Sequence, residues 1–322
     1  MNNSLNEGWD LFSGISRNFC LASRFLPKDT RDTNMTLYLM LKMADTIEDS
    51  NLPIEVKKEC FDMYREFLLL KKINIQRFIS RFEEEANLTP HEKKLIANTN
   101  VILDLFGRIG IVYRRNFIND INEMTTGMEK YLEKRIITIH DQDDYCHYVA
   151  GMVGKILTDM YLFYNHINNE EHHKMLSLSN DFGLLLQKVN IIKGSKEDYL
   201  RNNKNSMNRT YIPEGLLRRH NLSLEELFNP ENSEKALLVL EELTKDAKKY
   251  KQPSLEYIKQ IPKKEKGIKM FSNIILLTSL KLLDKCKGNY DIFKINNEVG
   301  LTNKEKVSVL AESWYKSRYW YK

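Results

Sequence analysis

Asp45, Glu48 and Asp49 close a segment that is otherwise hydrophobic, M-T-L-Y-L-M-L-K-M-A-D-T-I-E-D-S. On a helix, side chains at i, i+3 and i+4 share a face, so this spacing would hold three carboxylates together. Like charges that close raise one another's pKa and destabilise the helix unless a cation offsets them. Oxygen clusters of this kind serve hard cations. Mg²⁺ in particular keeps several waters and bridges carboxylates to a substrate's phosphates. The competing explanation is an acidic helix end facing water. The apolar run before it and a second polar stripe downstream favour the metal.

The second stripe lies in G-L-L-L-Q-K-V-N-I-I-K-G-S-K-E-D-Y-L. On one helix Gln187, Asn190, Lys193, Glu197 and Asp198 form a continuous polar line beside Leu184, Leu185, Ile191 and Ile192. A solvated helix face would produce the same line. Between the two acidic segments runs D-D-Y-C-H-Y-V-A-G-M-V-G-K-I-L, in which Tyr145 and His147 bring polar groups to an apolar helix. Ala150, Gly151 and Gly154 there would let helices approach closely.

The elements that must position these residues read as helices throughout. The chain has 322 residues, 42% of them hydrophobic, with only 13 Gly and 7 Pro, which suits long helices joined by short loops. Apolar residues recur at three- and four-residue spacing, and this predicts helices over 54–71, 93–113, 116–134, 141–167, 172–200, 234–249, 266–286 and 303–319. No sustained strand alternation and no internal repeat is visible. Pro53, Pro90, Pro213, Pro230 and Pro253 fall at expected connections. The polar stretch from Asn202 to Thr210 is expected to be a mobile loop. Nothing reads as an interdomain linker, so an all-α, single-domain chain over 1–322 is expected.

Composition also excludes some functions. The net charge of +5 comes from charges of both signs interspersed, so no nucleic-acid surface is indicated. Cys20, Cys60, Cys146 and Cys286 lie far apart with no C-x-x-C pair, against zinc and a disulfide framework. The start M-N-N-S-L-N-E-G-W-D lacks a signal-peptide pattern, and Phe271–Leu283 is too short and too charged to span a membrane. A cytoplasmic protein is expected. The ending S-W-Y-K-S-R-Y-W-Y-K alternates aromatics with cations, which suits either peripheral contact with a membrane or packing on the protein body.

These segments, in this order, resemble the squalene/phytoene synthase family, most closely its squalene synthase branch. Y-C-H-Y-V-A-G-M-V-G, D-T-I-E-D and Q-K-V-N-I-I-K-G-S-K-E-D-Y are similar to its tyrosine region and its two acidic motifs. S-R-N-F (Ser16 to Phe19) and N-R-T-Y-I-P (Asn208 to Pro213) are similar to two further motifs. The resemblance implies an isoprenoid synthase fold, a helical bundle around a central apolar cavity with the acidic motifs facing each other across its mouth. It implies head-to-head condensation of two farnesyl diphosphates to presqualene diphosphate, followed in full squalene synthases by NADPH-dependent reduction to squalene. Residue by residue, it implies Mg²⁺ ligands at Asp45, Glu48 and Asp49 and at Asn190, Glu197 and Asp198. Diphosphate contacts are implied at Ser16, Arg17, Lys42, Lys193 and Arg209. Tyr38 and Tyr145 are implied as cavity tyrosines that handle the proton and the cation, with Gln187 as a polar residue of the same wall.

The match departs at three places. Gly194 stands where the second acidic motif of the family begins with an aspartate, and Lys196 adds a cation nearby. Lys42 and Lys193 stand where arginines are usual, which keeps charge but loses bidentate geometry. The segment M-F-S-N-I-I-L-L lacks the proline-glutamine typical there, which weakens the match for the NADPH-dependent half-reaction. Beside the condensing enzyme, two other readings therefore stand: a terpene cyclase or other prenyl diphosphate transferase of the same fold, and an inactive scaffold homologue.

Overall fold

The computed structural model of the chain describes residues 2–70, 74–83, 88–202, 210–294 and 299–320. Among these residues every regular element is helical. The chain divides into two compact units, one formed by Met1–Glu133 with Asp159–His166, the other by Lys134–Thr158 with Ile167–Lys322.

Unit 1 contains α1 (Asn2–Ile15), α2 (Arg17–Ser23), α3 (Lys28–Asp49), α4 (Ile54–Leu68), α5 (Ile75–Ser80), α6 (Pro90–Ala97), α7 (Thr99–Gly107) and α8 (Ile111–Glu133). Its centre is α3, which packs against α1, α2, α4, α6, α7 and α8. The sequence explains this place. Met35, Leu39, Met40, Met43, Ala44 and Ile47 are apolar on nearly every side of α3, and all are fully buried. The first acidic segment is the last turn of this central helix.

Unit 2 takes α9 (Ile139–Cys146), a π-helical turn (His147–Gly151) and the first part of α10 (Met152–Phe163). It continues with α11 (Asn169–Asn202), α12 (Glu214–Arg219), α13 (Leu224–Leu227), α14 (Ser233–Lys248), α15 (Lys251–Gln260), α16 (Lys266–Cys286) and α17 (Asn303–Tyr315). Here the 34-residue α11 is central, packed on α9, the π turn, α14, α15 and α16. The second acidic segment lies on its C-terminal half.

Close packing at the π turn comes from missing side chains. A Cβ built on Gly154 would stand 2.3 Å from the Ser179 carbonyl oxygen, and one on Gly183 would stand 2.2 Å from that of Ala150. Gly154 is thus the close-approach residue its sequence context suggests, and Gly183 on α11 is its unforeseen counterpart.

Other expectations shift for local reasons. The stretch expected as one helix over 93–113 falls on three: Asn98 (φ −100°) closes α6 and opens α7, which ends at Gly107 before α8 begins at Ile111. A capping box between Thr89 and Glu92 starts α6 at Pro90. The helix expected over 141–167 contains the π turn and ends at Phe163, with Asn165 left-handed at φ 59°. Pro253, expected at a connection, sits in the first turn of α15, where its missing N–H costs nothing. The stretch Asn202–Thr210 falls, apart from its two ends, outside the described residues. No helix among the described residues is long and apolar enough to cross a membrane. At the C-terminus Val309, Ser313 and Ser317 are buried, and α17 packs on α16, while Trp314, Tyr315 and Tyr319 are exposed.

Gly183→Ala tests the packing directly. Forcing a methyl against the Ala150 carbonyl is expected to destabilise the protein by about 1–3 kcal/mol, read as a lower chemical-denaturation midpoint. An unchanged midpoint would contradict the close approach.

Candidate active site

In unit 1, α3 ends on Asp45, Glu48 and Asp49 with no basic residue in its last turn. The carbonyl end of a helix is already the negative pole of its dipole, so these carboxylates stand where anions are least favoured. Lys42, one turn earlier, offsets them. Its Nζ pairs with Asp45 and lies 3.5 Å from Glu92 Oε1 of α6. Burial alone would lower the Lys42 pKa, but the charges of Asp45, Asp49 and Glu92 outweigh it and hold the ammonium well above its ordinary value.

The three carboxylates are not equivalent. Asp45 and Asp49 are half-exposed, whereas Glu48 is 1% exposed and turned into the helix packing. Among the described residues no three His, Cys, Asp or Glu side chains are gathered for a metal ion. Asp45 and Asp49, one turn apart and offering only oxygen, nevertheless fit a hard cation that completes its shell with water and substrate phosphate oxygens. Glu48 does not share their face.

Tyr38 lies one turn before Lys42. Its ring leans on Phe12 and Phe19, with centroids at 4.6 and 5.3 Å. Burial pushes its phenol upward, against the hydrogen bond with Ser16 and the charge of Lys42. Ser16 also caps α2, its Oγ accepting from the Phe19 N–H at 3.4 Å. Arg17 opens α2 and is exposed. The fold therefore brings Ser16, Tyr38, Lys42, Asp45 and Asp49 into one neighbourhood. Glu92, which sequence reasoning missed, anchors Lys42 from a distant helix, and only its place in the T-x-x-E capping box marks it in the sequence.

In unit 2, Asn190 and Glu197 are exposed and Lys193, Gly194 and Asp198 are half-buried on α11, beside half-buried Gln187. The asparagine and the two carboxylates offer oxygen on one face, a donor set that again fits a hard cation. Lys196 does not join them. It is 8% exposed, with its Nζ 4.4 Å from the Phe228 ring centroid and 5.1 Å from that of Tyr199, and burial lowers its pKa. Arg209 lies outside the described residues.

Tyr145 on α9 is 3% exposed, and Tyr211 stacks on it with centroids 4.3 Å apart and planes 10° from parallel. His147, on the π turn, reaches Asn180 Oδ1 through Nδ1 at 2.8 Å. A buried ion cluster also lies in unit 2, where Lys188 Nζ is 2.6 Å from both Asp143 and Asp246. Sequence reasoning missed it: Lys188 lies outside the polar stripe of α11, and its partners are distant in sequence.

A family model described as squalene/phytoene synthase matches residues 13–289. The squalene synthase of Schizosaccharomyces pombe is 31% identical over 92% of this chain and 62% of its own length. That of Solanum lycopersicum is 30% identical over 90% of this chain and 67% of its own length. The chain thus spans about two thirds of the length of these relatives. Among solved structures, TcSQS in complex with the ligand E5700 has a TM-score of 0.81 at 22% identity, covering 100% of this chain and 90% of that one. A dehydrosqualene synthase in complex with a ligand has a TM-score of 0.64 at 19% identity, covering 97% and 95%. The fold is shared with both.

Gly194 is open to test because nothing requires a glycine there. A Cβ would meet only the Asp198 carboxylate oxygens, at 3.7 and 3.9 Å. Gly194→Ala is expected to stabilise the protein by about 0.5–1 kcal/mol, since glycine weakens a helix interior. A fall in the denaturation midpoint would contradict this. Gly194→Asp adds an oxygen donor to the same face and is expected to tighten Mg²⁺ binding in calorimetry. No change in affinity would remove this face of α11 from the metal site.

Proposed function

The chain belongs to the squalene/phytoene synthase family, and on that premise we propose that it joins two farnesyl diphosphates head to head, forming presqualene diphosphate and then squalene. The observation that carries this reading is a family match spanning both acidic segments, the first of which presents Asp45 and Asp49 beside Lys42 at the end of a buried helix.

The reaction begins when an allylic C–O bond breaks and the diphosphate leaves with the bonding electrons. Asp45 and Asp49, with Asn190, Glu197 and Asp198, are the residues that would hold Mg²⁺. Mg²⁺, when bound, neutralises charge on the departing diphosphate. The reading requires the carboxylates of both acidic segments for turnover. Lys42, Ser16, Arg17, Lys193 and Arg209 add fixed donors to its oxygens. Buried Tyr145 excludes water from the cation, which water would quench. Closing the cyclopropane ring releases one proton, and the Tyr145 phenol is the group assigned to relay it to a diphosphate oxygen. Tyr38, between Phe12 and Phe19, offers an aromatic face to the allylic cation. Glu48 supports α3 from the buried side. NADPH, when bound, would supply the hydride for the second half-reaction, and no residue is assigned to hold it.

Gly194 favours a second reading. With one acidic position absent, an enzyme of the same fold that ionises a single prenyl diphosphate and makes another terpene would need fewer metal ligands. Release of an apolar product also gives the exposed Trp314, Tyr315 and Tyr319, with Arg318 over the Trp314 ring at 4.3 Å, a role in peripheral contact with a membrane.

Incubating the protein with farnesyl diphosphate and Mg²⁺, with and without NADPH, decides among these. A thirty-carbon product is expected. A fifteen-carbon product would establish the second reading, and untouched substrate would mean an inactive homologue. Asp45→Ala is expected to lower diphosphate release by about a hundredfold or more. Near-normal turnover in that variant would overturn the metal assignment.

A further inference from the structure

We propose that Gln142 is a positioning residue for Tyr145, acting through Tyr211 and anchored by the buried cation of Lys188. Gln142 and Tyr145 lie at i and i+3 on one face of α9, and both grip Tyr211. Gln142 Nε2 donates to the Tyr211 carbonyl at 2.9 Å, while the Tyr145 ring stacks on the Tyr211 ring. The Tyr211 backbone is left-handed, at φ 55°, a conformation an aromatic residue holds only when its surroundings enforce it. The next residues are tied to the segment before α9, with Glu214 N donating to Ile136 O at 3.0 Å and Gly215 N to Ile137 O at 2.8 Å.

The direction of the Gln142 amide is not free. Lys188 Nζ donates to Gln142 Oε1 at 2.9 Å, and an ammonium can only donate, so the amide oxygen faces Lys188 and the NH₂ faces Tyr211. Lys188 is itself fixed. It lies between Asp143 and Asp246, with the Tyr250 ring centroid 5.7 Å away, and Lys249 pairs with the other Asp246 oxygen at 2.7 Å. Gln142 and Lys188 are each 2% exposed, so water does not compete for these bonds. A chain of directed contacts thus runs from a buried ion cluster to the face of Tyr145.

The proposal rests on the reading of Tyr145 as the proton relay, and the test separates the two. Deleting Lys188 would strip Asp143 and Asp246 of their shared buried counter-ion, leaving Asp246 only Lys249, and would disrupt the site, so Gln142→Met is the informative variant: it keeps the volume and removes both bonds. Its amides at Thr210, Tyr211 and Ile212 are expected to exchange hydrogen faster than in the unaltered protein. Its kcat with farnesyl diphosphate is expected to fall about tenfold or more while KM stays within about twofold. Tyr211→Leu should reproduce that loss, the double variant should be no slower than the slower single one, and Tyr211→Phe, which keeps the ring, should restore it. Unchanged exchange, unchanged kcat or additive losses would each overturn the proposal. Tyr145→Phe is the separate control: full turnover there would end the relay assignment, while exchange at 210–212 still reports whether Gln142 holds the segment.

Discussion

Negative charge gathered at the carbonyl end of a buried helix must be offset by a cation, and much of unit 1 is arranged around that requirement. Lys42 meets it from within α3, paired with Asp45 and held from α6 by Glu92. Glu92 is itself fixed, because its other oxygen closes the capping box that starts α6, accepting from Thr89 N and Thr89 Oγ1 at 2.8 and 2.9 Å. A cap that sets where one helix begins thereby sets where the lysine of another helix points. The same lysine lies next to the Tyr38 and Ser16 pair, so charge balance and the arrangement of the aromatic wall are coupled.

Unit 2 meets a related requirement differently. Its central helix, α11, carries Lys188 inward to Asp143 and Asp246, while its acidic residues Glu197 and Asp198 turn toward solvent and half-buried positions. Buried ion pairs contribute little net stability, because desolvation cancels most of the attraction, but they fix direction. The direction fixed here is that of the Gln142 amide and, through it, of Tyr211. In both units an acidic segment sits on the helix that touches most of the others. The ligands proposed above would thus be mounted on the most constrained elements, and preorganisation is what lowers the cost of stabilising charge in a transition state.

The sequence exposed what depends on local pattern. The apolar run of α16 is bounded so clearly that its expected limits, 266–286, coincide with the helix observed. The membership of Asp45 and Asp49 in one neighbourhood follows from i, i+4 spacing alone. Glu48 fails to join them because α3 is surrounded: a residue turned to its packed side is buried whatever its charge. Periodicity continued through Asn98 and through the π turn because neither interrupts the apolar spacing, although both interrupt the hydrogen-bond ladder. Lys188 was illegible for a further reason. Its partners Asp143 and Asp246 come from α9 and α14, and no local signal announces a long-range ion pair. Lys196, read as a cation beside the acidic face, instead packs under Phe228, since a long apolar stem follows aromatic surface when it can.

The central proposal is that diphosphate release depends on the carboxylates of both acidic segments. Pyrophosphate release from farnesyl diphosphate, measured against Mg²⁺ concentration for Asp49→Asn, Asp198→Asn and the double variant, tests it most directly. The account predicts that each single change removes most of the activity and that the double change costs no more than the worse single one, as residues needed for the same step are non-additive. Full turnover in Asp198→Asn, or losses that simply multiply, would contradict it.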